Sequence, residues 1–365
     1  MMMLRALAIA RQGVGSVSPN PLVGCVIVGA DGNILGEGAH LRFGEAHAEP
    51  NAIADAEIKG HNVEGTTVYV TLEPHSHQSK TPPCCDLLIE KKIARCVVAM
   101  EDPNPKVSGE GIRRMREAGI RVDVGLMEEE ARELNHFFIK HITTGHPYVT
   151  LKLASSLDGR SALANGESKW ITSEESRRMV HAMRAEHDAV LVGTRTALLD
   201  NPSLTVRLAE GRQPRRVVLD TRLELPETLR LFTDEFRNKT IVITSEESVS
   251  TNHTKLDWLA SQGVQYVAAP TIDGKLDLRA MFASLGARGI MSVLVEAGPL
   301  LAAELVKEQL FDELQLFIAP ILLGGDAMPI IGDLNISSLT DANHYRSVTT
   351  QKVKDSQDFL IRVRV

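Results

Sequence analysis

His47-Ala48-Glu49, and further along Pro74-His75 followed after eight residues by Cys84, are the stretches of this chain whose residue types and spacing suit metal chemistry. Two imidazoles and a thiolate are three good zinc donors, and a set of three leaves the fourth tetrahedral position open for water. Zinc held there would lower the pKa of that water toward neutrality and so allow attack on an electrophilic carbon. Glu49, two residues from a ligand, would then work as general acid–base, taking a proton from water and passing it to a leaving group. A closed structural site is the alternative, with Cys85 as fourth donor, although two adjacent cysteines seldom reach one ion.

Zinc deaminases acting on heterocyclic amines carry these groups as H-x-E followed by P-C-x-x-C. Here the first half is intact and the second departs twice. Eight residues rather than two separate the later ligands, and His75 stands where the first cysteine belongs. The run Thr71-Leu72-Glu73-Pro74-His75-Ser76-His77-Gln78-Ser79-Lys80-Thr81-Pro82-Pro83-Cys84 resembles TLEPCSH-x-G-[RK]-TPPC, the motif of the bifunctional deaminase–reductase family of riboflavin biosynthesis (the RibD family). It differs at His75 and Ser79. Ser18-Pro19-Asn20-Pro21-Leu22-Val23-Gly24 and Asp102-Pro103-Asn104-Pro105 extend the resemblance on either side.

The second half of the chain resembles the same family in three further runs. They are Lys152-Leu153-Ala154-Ser155-Ser156-Leu157-Asp158-Gly159-Arg160, Gly166-Glu167-Ser168-Lys169-Trp170-Ile171-Thr172 and Asp200-Asn201-Pro202-Ser203-Leu204-Thr205-Val206-Arg207. The resemblance implies an α/β protein with a cytidine-deaminase-like three-layer α/β/α domain followed by a dihydrofolate-reductase-like α/β domain. It implies zinc and NADPH as cofactors. The expected reactions are hydrolytic deamination of 2,5-diamino-6-ribosylamino-4(3H)-pyrimidinone 5′-phosphate, then reduction of the ribosyl group to give 5-amino-6-ribitylamino-uracil 5′-phosphate.

Carried over residue by residue, the family pattern makes His47, His75 and Cys84 the metal ligands and Glu49 the catalytic carboxylate. Asn20, His77, Lys80 and Asn104 would line the pyrimidine and ribose-phosphate pocket. Ala154, Trp170, Thr196 and Asp200 would contact NADPH, together with Gly298, Pro299, Leu300, Leu301, Ala302, Ala303 and Glu304. Outside that pattern, Arg222, after the strand ending at Asp220, could favour its 2′-phosphate. Lys152, Ser168, Arg184, Leu204, Arg207 and Glu296 would contact the reductase substrate, the two arginines suiting its phosphate. Lys152 and Asp200 are the ionisable groups expected to handle protons. Imidazole is neutral where cysteine gives a thiolate, so His75 leaves the site one charge more positive, which acidifies bound water if the geometry holds. If a loop shaped for cysteine holds the metal poorly instead, a working reductase stands beside an impaired deaminase.

Strands and helices must place these groups. Residues 22–29 and 34–40 read as strands around the Asp31-Gly32 turn. Residues 47–59 read as a helix that admits Pro50 only in its first turn. Residues 66–71 should form a central strand, followed by a helix at 84–92, a strand at 95–100, a helix at 110–118, a strand at 121–124 and a helix at 128–141. That alternation implies a layered sheet with helices on both faces. Thr143-Thr144-Gly145-His146-Pro147 is the expected junction, giving domains 1–143 and 147–365. Beyond it, strands are expected at 148–154, 189–193, 216–219, 240–244 and 291–295. Glu296-Ala297-Gly298-Pro299 reads as a strand-to-helix turn whose free N–H groups suit a phosphate. Without G-x-G-x-x-G, a Rossmann fold is not supported.

A length of 365 residues suits two domains. A net charge of -7 and only 4% aromatic residues argue against a nucleic-acid partner. They weigh against the competing reading, a nucleic-acid base deaminase, which shares H-x-E and zinc but needs a basic strand-binding surface. Arg5 interrupts the short apolar start, which reads as a first helix rather than a secretory leader. Glu296 and Gly298-Pro299 break the apolar run 290–306, so it is no membrane span. Four cysteines with no disulfide-like framework point to a reducing compartment, with Cys25 and Cys96 as small buried strand residues. The expectation is a cytoplasmic homo-oligomer (dimer or tetramer) acting on small pyrimidine ribotides, with neither nucleic acid nor membrane as partner.

Overall fold

Gly24–Val28 (β1) carries five buried residues in succession, which only a strand covered on both faces can do. The computed structural model describes residues 1–77, 82–105 and 107–365, and divides into two units, Met1–Gly145 and His146–Val365. In the first unit β1 pairs antiparallel with Ile34–Ala39 (β2) on one side and with Thr67–Val70 (β3) on the other. Arg95–Val98 (β4) and Arg121–Val124 (β5) follow in parallel, so the order is β2-β1-β3-β4-β5 with β3 central.

Glycines decide how closely the helices sit. A Cβ on Gly24 would lie 2.0 Å from the carbonyl oxygen of Ala6 in Met2–Ala10 (α1). Gly36 and Gly38 of β2 press in the same way against Ala48–Ile58 (α2): a Cβ on Gly38 would lie 2.3 Å from Ala52 N and 2.5 Å from Ala48 O. Gly24 pairs with Ala39 while Gly38 pairs with Cys25, and side chains alternate along a strand. The two helices therefore cover opposite faces, and the unit has three layers.

Cys84–Glu90 (α3), Glu110–Glu117 (α4), Glu128–Leu134 (α5) and His136–Thr144 (α6) complete it. The single helix expected over 128–141 is two. Asn135 breaks it because its side chain is spent on another segment: Oδ1 accepts from Leu22 N–H at 2.8 Å and Nδ2 donates to Leu22 O at 3.0 Å. This fastens the turn that carries Asn20.

The second unit is built on nine strands: Tyr148–Ser156 (β6), Ala189–Val192 (β7), Arg215–Leu219 (β8), Thr240–Ser245 (β9), Gln265–Ala269 (β10), Ser292–Glu296 (β11), Glu313–Ala319 (β12), Ser347–Lys352 (β13) and Phe359–Arg364 (β14). Their order is β10-β9-β8-β7-β11-β6-β12-β14-β13. The first seven are parallel and the last two antiparallel. Alternate residues of the strands feed two cores. Leu191, Val217, Ile241 and Val293 pack with Leu278–Gly286 (α10) and Pro299–Lys307 (α11) on one face. Val190, Val192, Val218 and Val242 pack with Glu174–Glu186 (α7) and His253–Ser261 (α9) on the other. Thr194–Asp200 (α8) lies between β7 and β8 in the chain. Four strands, β10 and β12 to β14, were not expected, since their sequences mix polar residues into short runs. Among the described residues no helix is long and apolar enough to cross a membrane.

Gly38→Ala should push α2 off the sheet and destabilise the first unit by about 1–3 kcal/mol. Both tryptophans, Trp170 and Trp258, lie in the second unit. In urea, far-UV circular dichroism should therefore show an earlier transition while the tryptophan fluorescence midpoint stays in place.

Candidate functional sites

The first site forms where two helices begin. His47 is the N-cap of α2, with extended backbone at φ -77° and ψ 177°, and its carbonyl accepts from Asn51 N–H at 3.3 Å. Glu49 lies in the first turn and is 3% exposed. Pro50 is in the same turn, where no intrahelical donor is lost. Cys84 is the first residue of α3, and His75 lies in the loop that leaves β3.

The ligand atoms of His47, His75 and Cys84 all lie within 4.8 Å of one another. Cys84 Sγ and His47 Nδ1 are 3.6 Å apart. A nitrogen and a sulfur held tetrahedrally on zinc stand about 3.6 Å apart. The donor set and its spacing fit that ion. His75 thus takes the place of a thiolate without leaving the cluster, its ring centroid 4.6 Å from that of His47.

Burial, then the neighbouring imidazoles His75, His40 and His77, lowers the His47 pKa to about 4, so the ring is neutral and able to ligate at ordinary pH. Burial raises the Glu49 carboxyl above its usual range, opposed in part by a hydrogen bond from Cys84. Burial and the adjacent Glu49 push the Cys84 thiol up, so a thiolate forms here only with a cation beside it.

Several supporting residues carried no signal that spacing could reveal. Buried His40 reaches Ala46 O through Nδ1 at 3.1 Å and Asn20 Nδ2 through Nε2 at 3.0 Å, with its ring centroid 5.0 Å from that of His47. Asn20 therefore approaches the cluster by way of His40. Asn51 Nδ2 donates to Ala39 O at 2.8 Å. His77 is exposed, its ring centroid 5.5 Å from His75. Asn104 lies in the loop after β4, its N–H donating to Asp102 Oδ1 at 2.8 Å. Lys80 lies outside the described residues.

The second site is a cleft of about 1400 Å³ in the second unit. Lys152, Ala154, Ser168, Trp170, Arg184, Thr196, Asp200, Leu204, Arg207, Arg222, Glu296, Gly298, Pro299, Leu300, Leu301 and Glu304 all line it. Ala302 and Ala303 do not. Their methyl groups are buried in the core, and Ala302 N–H donates to Gly298 O at 3.0 Å. Because Pro299 has no N–H, the donors left to the first turn of α11 are those of Leu300 and Leu301.

Three charged groups meet at the floor of the cleft. Lys152 of β6 pairs in register with Glu296 of β11. Arg184 of α7 grips Glu296 with two bonds, Nε to Oε1 at 2.6 Å and Nη2 to Oε2 at 2.9 Å, and gives Nη1 to Thr205 O at 3.0 Å. Although burial opposes ionisation, Arg184 holds the Glu296 carboxyl down at about 2. Burial lowers the Lys152 pKa, with Glu296 opposing. All three guanidinium nitrogens of Arg184 are engaged, so it anchors Glu296 and the 203–207 loop more than it offers an open arm to phosphate. Arg207, at the rim, spends Nη1 on Ser203 Oγ and Thr205 Oγ1. Leu204 stands between them with φ 53° and only 1% exposure, a left-handed conformation that costs a branched side chain energy. Arg177 stacks over the exposed Trp170 ring at 4.3 Å.

Because Glu296 ionises far more readily folded than unfolded, its contribution is full above the ordinary carboxyl range. It drains away as pH falls from about 4.5 toward about 2. Acid unfolding followed by tryptophan fluorescence should lose that dependence in Glu296→Gln. Arg184→Met, which leaves Glu296 buried without its partner, should cost the second unit about 3–5 kcal/mol.

Residues 147–354 match the family model described as the RibD C-terminal domain. Residues 1–100 match the cytidine and deoxycytidylate deaminase zinc-binding region. Riboflavin biosynthesis protein RibD of Bacillus amyloliquefaciens is 44% identical over 341 residues, covering 93% of this chain and 89% of that protein. Its namesake from Escherichia coli (strain K12) is 43% identical over 357 residues, 94% of each. Among solved structures, RibD of Acinetobacter baumannii (form 2) superposes with a TM-score of 0.88 at 35% identity, over 100% of this chain and 97% of that one. The diaminohydroxyphosphoribosylaminopyrimidine deaminase/5-amino-6-(5-phosphoribosylamino)uracil reductase of Thermotoga maritima gives 0.85 at 40% identity, over 99% and 97%.

Proposed function

Since the chain belongs to the bifunctional riboflavin-biosynthesis deaminase–reductase family, we propose that its first unit deaminates 2,5-diamino-6-ribosylamino-4(3H)-pyrimidinone 5′-phosphate and that its second reduces the product's ribosyl group with NADPH. The observation that carries the first half is the convergence of His47, His75 and Cys84 beside a buried Glu49. Bound zinc supplies the activation of the attacking water. Glu49 accepts the proton of that water and returns it to the exocyclic nitrogen, so that oxygen replaces nitrogen on the ring carbon and ammonia leaves. A carboxyl whose pKa is raised by burial is well matched to both halves of that transfer. Asn20, His77, Lys80 and Asn104 are assigned to the ring and the ribose phosphate.

In the second unit the nicotinamide supplies hydride to C1′ of the opened sugar. The chain's task is alignment. Leu300 and Leu301 N–H groups at the start of α11 suit a cofactor phosphate, and close approach is possible because Gly298 has no side chain. Trp170, Ala154, Thr196, Asp200, Glu304 and Arg222 complete the cofactor's side. Glu296, Lys152, Ser168, Leu204, Arg184 and Arg207 face the substrate. Lys152, depressed by burial, is the proton donor best placed by its chemistry for the oxygen released as the sugar opens.

The test is ammonia release from the diaminopyrimidine ribotide by zinc-loaded protein without NADPH. Sustained release should fall about 10²–10⁴-fold in Glu49→Gln. Absence of release, with NADPH still oxidised when the deaminated ribotide is supplied, would make the protein a reductase with a lapsed first site. His75→Cys should then restore ammonia production.

A further inference from the structure

Glu73 sits two residues before a metal ligand and has no part in the chemistry above. Glu73 is 4% exposed, and its carboxylate accepts four backbone N–H groups from elsewhere in the chain. Oε2 takes Asp102 N at 3.1 Å and Gly109 N at 2.9 Å, and Oε1 takes Gly111 N at 2.9 Å and Ile112 N at 3.3 Å. Gly109 is the N-cap of α4 and brings no side-chain cap of its own. Glu73 therefore caps that helix from outside, satisfying its first free donors and placing negative charge at its positive end.

The same carboxylate spans the loop 102–109, holding its first and last residues and thereby the Asn104 between them. Packing enforces the grip. A Cβ on Gly111 would lie 2.1 Å from Pro74 O, so α4 begins directly against the residue between Glu73 and His75. Arg114, one turn on, donates to Ser76 O at 2.8 Å and pairs with Asp86 of α3.

We propose that Glu73 is a positioning residue for substrate: it fixes the Asn104 loop at a set distance from the metal ligands, so that the pyrimidine ribotide meets a pocket already formed. The ligand loop has further anchors of its own. Glu73 N donates to Met100 O at 3.0 Å and Cys85 N to His75 O at 3.3 Å. Val107 N and Ser108 N both bond Asn104 O within the 102–109 loop, and Glu73 ties both ends of that loop. Replacing Glu73 therefore loosens the substrate's wall and leaves the metal in place. An amide at this position offers one oxygen where four donors converge, and its own N–H₂ faces donors.

The inference rests on the reading that the first unit binds the ribotide, and its test does not need turnover. Full-length protein is loaded with cobalt(II) in place of zinc and titrated with the deaminated ribotide, 5-amino-6-ribosylamino-uracil 5′-phosphate, without NADPH. The cobalt visible bands report binding at the first site only. Glu73→Gln should bind one cobalt per chain with unchanged bands, bind the ribotide about 10–100-fold more weakly, and oxidise NADPH with that ribotide at the normal rate. Glu73→Asp, which keeps the charge but shortens the reach, should fall between the two. Equal ribotide affinity in wild type and Glu73→Gln overturns the inference alone, as does loss of cobalt from the variant with affinity intact wherever cobalt remains. A wild-type protein whose bands ignore the ribotide overturns the deaminase reading and this inference with it.

Discussion

A helix laid on a strand with no side chain between them is the constraint on which the first unit depends. Gly36 and Gly38 let α2 approach β2 to backbone contact, and that approach fixes where the helix starts. His47 and Glu49 are its N-cap and first turn, so their positions follow from backbone packing rather than from flexible reach. The other ligands come from elements tied to the same sheet: His75 leaves β3, the central strand, and Cys84 opens α3. Polar side chains bonded to distant backbone, buried Asn135 to Leu22 and half-buried Asn51 to Ala39, brace the surrounding turns. A metal centre needs donors placed to a fraction of an ångström, and rigid elements deliver that better than loops.

The second unit reaches the same end by charge. Glu296 closes β11, Lys152 lies beside it on β6, and Arg184 crosses from α7 to lock the carboxylate in a two-bond grip. Buried ion pairs add little net stability, because desolvation offsets attraction, but they are costly to break and they impose one arrangement. Fully buried Arg216 does similar work behind the cleft, bonding Ser203 O, Leu231 O and Asp234. Between the two arginines the 203–207 loop holds Leu204 in its left-handed conformation.

Much of this was legible in the sequence. The three zinc donors converge as the motifs implied, and sixteen of the eighteen residues assigned to the second site line one cleft. Ala302 and Ala303 do not line it, for a reason that a motif cannot express: the free N–H donors of a helix end after its first turn, and these two residues lie beyond it. Strands rich in β-branched residues, such as 189–192 and 240–245, announced themselves. The edge strand Ser347–Lys352, exposed along its whole length, has no buried face to leave an alternating pattern. Helix breaking at Asn135 and the role of Glu73 depend on partners distant in the chain. No local window contains them.

The cores of the two units share no residue: one is drawn wholly from positions below 140 and the other two from positions above 148. Each unit thus has its own account with natural selection. A substitution such as the histidine at position 75 falls in the unit whose core takes no residue from the reductase fold. A lineage that obtained its deaminated ribotide elsewhere could let the first active site drift residue by residue, while the second stayed under full constraint in the same polypeptide.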